Sequence, residues 1–138
     1  MIHIQPSPTL KSFMNDFLGN FSPFMDGLTS SDESITKSML VDVKESPESY
    51  TILADLPGVK KEDISISVKD GVLVIAAERK GNKEDYLHYE RYIGKYERTF
   101  KIPSVLDTEK IEARYSDGVL EVTIGKKEDL KPKTVKVN

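Results

Sequence analysis

Short runs of alternating apolar and polar positions fill the middle of the chain, residues 39–127, and this alternation is typical of β-strands. Seven such runs are rich in β-branched or aromatic residues and are separated by turn residues. In chain order they are MLVDVKE, SYTILADL, DISISVK, VLVIAAER, KYERTFKI, IEARYS and VLEVTIGK. No long helical pattern interrupts them. We therefore predict an all-β domain, an immunoglobulin-like antiparallel β-sandwich.

Two turns between these runs have the same chemistry. Asp70-Gly71 and Asp117-Gly118 are Asp-Gly pairs, and a tight hairpin turn favours this pair because it requires positive φ. The flanking sequences ISISVKDGVLVIA and IEARYSDGVLEVTI also align, with Ile64 over Ile111, Leu73 over Leu120 and Ile75 over Val122. Two copies are too few for a solenoid, so we predict two hairpins of one sandwich.

One stretch, residues 80–93 (KGNKEDYLHYERYI), breaks this rhythm. It is too long for a hairpin loop and too polar for a core strand, and long loops in compact domains are usually functional or disordered. Its centre, YLHYERY, contains strand-like aromatic residues, so a short strand here would expose an unpaired edge. Two interpretations stay open: pairing with a second subunit, or a mobile loop covered by its own tyrosines.

The N-terminal residues 1–38 have a different composition. Apolar residues recur at three- and four-residue spacing, which predicts an amphipathic helical stripe that Pro23 interrupts. The stripe can pack on its own domain, or it can form an adaptable arm for other molecules, since Met and Phe suit varied surfaces. A membrane-surface helix is less favoured because lysine is scarce here. The candidate client-binding residues are Phe13, Met14, Phe17, Phe21, Phe24 and Met25.

The C-terminal residues 128–138 form the third part of the chain. After Pro132 and several lysines, Val135 and Val137 repeat a two-residue strand spacing without an evident partner strand. A frayed tail with two incidental valines is the alternative to a docking motif.

Composition and charge exclude several classes of function. The 138 residues contain no cysteine, so disulfides and cysteine-ligated metals are excluded, and a reducing cytosol is compatible with the chain. The net charge is −3 and positive and negative residues are interspersed, so the sequence shows no basic stretch of the kind that binds nucleic acid. The longest apolar run, Val72–Ala77, is too short to span a bilayer, and the N-terminus lacks the pattern of a signal peptide. We expect a cytoplasmic protein that binds no nucleic acid and does not depend on a membrane.

The sequence offers no candidate catalytic residues. His3 and His88 are the only histidines, and no His, Asp or Glu set has the spacing of metal ligands. Neither a phosphate-binding loop nor a nucleophile motif occurs. We therefore expect no cofactor, no metal and no enzymatic activity.

Three stretches, ADLPGVKKEDISISVKDGVLVIAAERK, GKYERTFKIP and IEARYSDGVLEVTIGKK, together resemble the α-crystallin domain of the small heat-shock proteins. The most specific part is the pattern Ala113-x-x-x-x-Gly118-Val119-Leu120. With its long loop, the chain is similar to the bacterial, archaeal and plant branch of that family. The resemblance implies a dimer building block, assembly into larger homo-oligomers, and ATP-independent capture of unfolding proteins.

The resemblance also gives the C-terminal residues a role. It implies that Val135 and Val137 dock on a neighbouring subunit as an extended peptide. Their implied groove lies between two strands and is formed by Ile64, Ile66, Val68, Ile111 and Ala113. The family usually has isoleucine at the two anchor positions, and this chain has valine.

A dimer interface is implied in the same way. In this branch a strand on the long loop swaps onto the first strand of the partner, which here pairs Leu87–Glu90 with the region 39–43. Arg98, in YERTFKIP, matches a family arginine near that interface, where a partner carboxylate is its natural counter-ion. The expected interface residues are Met39, Val41, Val43, Leu87, Tyr89 and Arg98.

The predicted function is that of an ATP-independent chaperone, a holdase that keeps unfolding proteins from aggregating. Its expected partners are further copies of itself, unfolding clients and, downstream, ATP-dependent chaperones. Two alternatives remain: a sandwich-type co-chaperone that binds another chaperone, and a stress protein that acts at a membrane surface.

Overall fold

A computed structural model describes residues 36–128 and 135–138. The predicted apolar stripe and its candidate client-binding residues lie outside this range. The seven strands are β1 (Val41–Glu45), β2 (Ser49–Asp55), β3 (Ile64–Lys69), β4 (Val72–Arg79), β5 (Gly94–Lys101), β6 (Leu106–Ser116) and β7 (Val119–Lys126). Two short 3-10 helices, Lys61–Asp63 and Lys83–Asp85, lie in the connections between strands.

The strands form two antiparallel sheets. One has four strands in the order β1-β2-β7-β6, and the other has three in the order β3-β4-β5. Side chains that alternate along the strands fill the space between the sheets, which is how a sandwich buries its apolar residues. The predicted all-β sandwich is confirmed.

Both Asp-Gly turns are hairpin turns, as predicted. Asp70 and Gly71 have φ of 52° and 74°, and Asp117 and Gly118 have φ of 55° and 77°. These values suit the mirror-image turns that match the twist of paired strands. The predicted start of one strand was wrong: β6 begins at Leu106 and not at Ile111, with an irregular register between the two.

The core lies between the two sheets. Its completely buried side chains come mainly from β2, β4 and β7, which have neighbouring strands on both sides. The buried apolar residues are Met39, Tyr50, Ile52, Ala54, Leu56, Val59, Leu73, Ile75, Ala77, Phe100, Leu106, Leu120, Val122 and Ile124. Burial of this apolar surface is the main force that stabilises the fold.

Two hydrogen bonds show how the sheets are placed over each other. Arg98 of β5 donates to the carbonyl oxygen of Met39, just before β1, at 3.0 Å. Tyr115 of β6 donates to the carbonyl oxygen of Val59, in the connection that leads to β3, at 2.8 Å. The edge strand β5 therefore lies over β1, and the opposite edge strand β3 lies over β6.

A partly buried ion pair closes one end of the sandwich. Lys126 Nζ lies 2.7 Å from Glu45 Oε1 and 5.4 Å from the ring centre of Tyr50. Burial raises the pKa of the Tyr50 hydroxyl to about 12, and the nearby Glu45 carboxylate adds to this effect. The phenol is therefore neutral through the whole physiological range.

Candidate assembly surfaces

The side chains of β3 that face the opposite sheet, here called the inner row of β3, are only partly covered. Ile64, Ile66 and Val68 are half-buried, although they stand opposite the buried Ala77, Ile75 and Leu73 of β4. Inward orientation with incomplete burial means that the opposite sheet does not reach over this edge. An apolar row therefore faces the gap between the sheets.

The inner row of β6 is open in the same way. Ile111 is half-buried and Ala113 is exposed, although their partners in β7, Ile124 and Val122, are buried. Because β3 lies over β6, the two rows border one slot between the sheet edges. We call this slot the edge groove; its residues are Ile64, Ile66, Val68, Ile111 and Ala113. The structure thus brings the five predicted groove residues to one side of the sandwich.

The opposite side of the sandwich contains the β1 edge. Val41 and Val43 point inward and are half-buried, and β1 has no strand on its outer side among residues 36–128. Met39 is 1% exposed and belongs to the core, and its carbonyl oxygen accepts a hydrogen bond from Arg98, so Met39 lies behind the exposed β1 edge. Its neighbour Leu40 is the exposed apolar side chain here and is not among the interface residues predicted from the sequence.

The long loop runs from residue 80 to residue 93, as predicted, between β4 and β5. Residues 80–91 are all exposed, and the Leu87 side chain is completely exposed. Tyr89 is about half exposed. Leu87–Glu90 forms no strand within the single chain, so its predicted pairing with a second copy stays a prediction.

Arg98 is a buried residue and does not face solvent. It points inward from β5 opposite Ile75, with 7% of its surface exposed. Burial lowers the pKa of its guanidinium, and its charge lies 5.8 Å from the ring centre of Phe100. The bond to the Met39 carbonyl places this cation directly behind the β1 edge. Its predicted contact with a partner carboxylate is not tested by a single chain.

Val135 and Val137 are exposed, at 81% and 91% of their surfaces. The single chain therefore leaves both predicted anchors uncovered. Their docking in the edge groove of a neighbour remains a prediction.

Residues at the base of the long loop were missed by the sequence analysis. Arg79 donates to the backbone carbonyls of Pro57 and Tyr92, and Lys37 pairs with β5 through two backbone hydrogen bonds of 3.0 Å. Lys37 Nζ also lies 4.4 Å from the ring centre of Tyr92. No sequence motif marks these contacts, because backbone carbonyls have no sequence signature.

Within residues 36–128 and 135–138, no group of three or more His, Cys, Asp or Glu side chains has the arrangement of a metal site. In the same ranges, no helix has the length and apolar character needed to cross a membrane.

Comparison with known proteins identifies the family. A sequence profile described as the Hsp20/alpha crystallin family matches residues 42–138, well over half of the chain. An 18.8 kDa class II heat shock protein of Ipomoea nil is 46% identical over 106 residues, covering 70% of this chain and 64% of the relative. The chain thus spans less than two thirds of that relative. A 16.9 kDa class I heat shock protein of Oryza sativa is 38% identical over 125 residues, covering 87% of this chain and 84% of the relative.

Solved structures agree with the sequence relatives. Heat shock protein 16.0 of Schizosaccharomyces pombe superposes with a TM-score of 0.67 and 28% identity, over 98% of this chain and 96% of that one. A small heat-shock protein of Xylella fastidiosa gives a TM-score of 0.64 and 33% identity, over 75% of this chain and 99% of that one. The sandwich, its open edges and these relatives lead to one assignment: the chain belongs to the Hsp20/alpha-crystallin family of small heat-shock proteins, which generally act as chaperones.

Proposed function

We propose that this protein is an ATP-independent holdase that works as a dynamic homo-oligomer built from dimers. The observation that carries the proposal is a match within one chain. Apolar rows are open at the β1 edge and in the edge groove, while Leu87, Tyr89, Val135 and Val137 stand exposed. Exposed apolar segments beside open apolar edges favour association between copies, because both become covered together.

The first proposed step is formation of a dimer. Leu87–Glu90 of one copy adds as a strand to the outer side of β1 in the other, where the backbone groups of an edge strand are available. The half-buried Val41 and Val43 lie behind that edge, and exposed Leu40 adjoins it. Exchange of loops between two copies satisfies both edges at once, as a two-fold interface requires.

The second proposed step links dimers. Val135 and Val137 of one chain occupy the edge groove of another, with alternate side chains in the apolar slot. Each subunit offers one tail and one groove, so it is linked to its neighbours by weak contacts. The binding free energies of these contacts add through multivalency. The Xylella fastidiosa relative, described as having a distinct high order structure, supports assembly beyond the dimer.

The third proposed step is capture of clients by residues 1–38. In this division of the chain, residues 39–127 form the sandwich and residues 128–138 form the linking tail. The Phe and Met side chains between Phe13 and Met25 cover apolar surface of unfolding proteins without sequence specificity. Interspersed charges on the sandwich keep the complex dispersed. Release and refolding are left to ATP-dependent chaperones, and the protein acts in the cytoplasm.

Light scattering of a heat-unfolding enzyme tests the holdase. The assay compares the enzyme alone with the enzyme plus an equal number of subunits, without ATP. We expect suppression by the full chain and its loss after Phe13, Phe17, Phe21 and Phe24 are replaced by serine. A variant with Asn15 and Asn20 replaced by serine is the matched control and retains suppression.

The outcomes of this assay separate the alternatives. Unchanged scattering with several clients would contradict the holdase and favour a co-chaperone. Suppression by the full chain that survives the four serine substitutions would contradict client capture by the N-terminal residues. Co-sedimentation with liposomes at the same protein concentration would favour action at a membrane surface.

Disulfide trapping tests the dimer, because the natural chain has no cysteine. One chain carries Leu87→Cys and the other, differently tagged, carries Asp42→Cys on the β1 edge. We expect a cross-linked heterodimer under mild oxidation. The control pairs Leu87→Cys with Ser67→Cys, which lies on the exposed face of β3, and yields little product. Equal yields from the two pairs would contradict the strand exchange.

A further inference from the structure

The side chains in the middle of the long loop are not buried, so they do not fix the direction in which the loop projects. Residues 80–91 are all exposed, so this segment has no buried side chain that holds it against the sandwich. The two stems, where the loop leaves β4 and where it returns to β5, are better placed to set its direction, because Arg79 and Tyr92 at these stems are half-buried. The contacts at these stems therefore matter for any partner that the loop reaches.

One side chain joins both stems to the body of the protein. Arg79, the last residue of β4, donates from Nε to the carbonyl oxygen of Tyr92 at 2.6 Å, and Nη2 donates to the same oxygen. Its Nη1 donates to the carbonyl oxygen of Pro57, in the turn after β2, at 2.9 Å. The planar guanidinium fork suits this three-way contact, and a lysine ammonium does not reproduce it. Hydrogen bonds from a charged donor are also stronger than neutral ones.

The turn after β2 is shaped to receive this arginine. Gly58 has φ of +79°, and a Cβ atom there would lie 3.3 Å from Arg79 Cδ and 3.4 Å from Arg91 Nη2. The bare backbone of Gly58 therefore leaves room for a side chain from each stem of the loop. This arrangement ties the loop to a rigid connection between the two sheets.

The returning stem is held from its other side as well. The Tyr92 hydroxyl donates to the carbonyl oxygen of Lys95 at 2.6 Å, and the Tyr92 ring meets the Tyr96 ring edge-on at 5.0 Å. Lys80 Nζ, on the departing stem, lies 2.9 Å from Asp63 Oδ1, a pair too exposed to stabilise much by itself. Arg79 is thus the residue that connects these separate contacts.

We propose that Arg79 is a positioning residue for dimer formation: by fixing the direction of the long loop, it sets the affinity between two copies without touching the partner. The inference rests on the proposed strand exchange through Leu87–Glu90. Its physical basis is preorganisation, since a loop that is already directed loses less conformational freedom on binding. Arg79 is outside the apolar core, so its substitution removes no side chain from the packing between the two sheets.

Sedimentation of the full chain over a dilution series tests this role. The readout is the concentration at which half of the chains sediment as monomers. We expect Arg79→Gln to raise this concentration on the order of tenfold, the effect of losing about 1.4 kcal/mol of preorganised hydrogen bonding. Arg79→Lys, which keeps the charge, restores little of the affinity. The matched control Arg114→Gln removes an exposed arginine from the outer face of β6 and leaves the midpoint unchanged.

The thermal unfolding midpoint shows whether Arg79→Gln acts on stability or on the direction of the loop. The thermal unfolding midpoint of Arg79→Gln should stay close to that of the natural chain; a fall that accounts for the lost affinity would overturn the proposal. If Arg79→Gln does not fold, Arg79→Lys carries the test, and undiminished affinity in that variant would overturn it.

Leu87→Ser separates this inference from the proposed function. If Leu87→Ser weakens the dimer and Arg79→Gln does not, the positioning role alone is wrong. If neither variant changes the dissociation midpoint, the strand exchange itself fails, and the positioning role fails with it.

Discussion

The two Asp-Gly hairpins have the same turn and a similar sequence pattern. Within each hairpin, however, the two strands differ in how far they are exposed. In each hairpin the second strand, β4 or β7, is buried on its inner face, and the first strand, β3 or β6, is only partly covered. Ile66 is half-buried and Ile75, directly opposite, has no exposed surface. Position within the sheet, rather than residue type, therefore decides which strand is buried in the core and which stays partly exposed.

The largest expected effect comes from truncating these two facing isoleucines. Ile75→Ala should lower the free energy of unfolding by about 3–4 kcal/mol, because it leaves a cavity in the core. Ile66→Ala should cost roughly half as much, since that side chain is already partly hydrated. Urea unfolding followed by circular dichroism, at one chain concentration, gives both values. Equal losses would show that the inner row of β3 is as much a part of the core as that of β4.

The buried tyrosine of β2 predicts a loss of stability in alkali. The Tyr50 pKa is raised to about 12 by burial, whereas an unfolded tyrosine titrates near 10. The raised pKa favours the folded protein fully below pH 10, and this advantage is lost as the pH rises through 12. The loss should be at most roughly 2–3 kcal/mol.

Unfolding midpoints between pH 9 and pH 12 measure this effect. In Tyr50→Phe the additional alkaline loss should disappear, whereas in Tyr115→Phe, a substitution at the β6 edge, it should remain. The same pH dependence in the natural chain and in Tyr50→Phe would contradict the assignment to Tyr50.

A charge in the edge groove should affect assembly and leave folding intact. Ala113→Glu places a carboxylate where a tail of another subunit is proposed to bind, and desolvating it should cost about 2 kcal/mol per contact. The matched control, Ala76→Glu, puts the same group on the outer face of β4. Light-scattering masses should fall for Ala113→Glu alone, with similar unfolding midpoints in both variants. A fall in mass for both variants would show that the groove has no special role.

Enlarging the tail anchors should give the smallest effect and in the opposite direction. Val135→Ile with Val137→Ile adds two methylenes, worth up to about 1.6 kcal/mol if both are buried. Each docking contact then strengthens on the order of 15-fold, and subunit exchange slows. Mixing two fluorescently labelled populations measures the exchange rate. Identical rates for the double variant and the natural chain would mean that these residues do not enter the groove.

Much of the fold could be predicted because its signals are local. The strand alternation, the two Asp-Gly turns and the bounds of the long loop depend on neighbouring residues. The early start of β6 escaped prediction because residues 107–110 are polar and lie before a register irregularity. Their pattern alone does not distinguish a solvent-facing strand from a loop.

The candidate site could be predicted only in outline. The resemblance supplied the groove and interface residues, and the structure places the groove residues along one slot. That Arg98 is buried, or that Arg79 contacts Pro57 and Tyr92, depends on atoms far apart in sequence. A single sequence contains no pattern that pairs an arginine with a distant backbone carbonyl.

The path of residues 37–41 has a mechanical consequence. The chain pairs with β5 at Lys37, passes the Arg98 contact at Met39, and enters β1 of the other sheet at Val41. A pull on the chain before Lys37 is therefore met first by the two backbone hydrogen bonds on β5 and then by the arginine contact. The force is distributed over both sheets before it reaches the β1 edge, so the outer side of β1 is shielded from load.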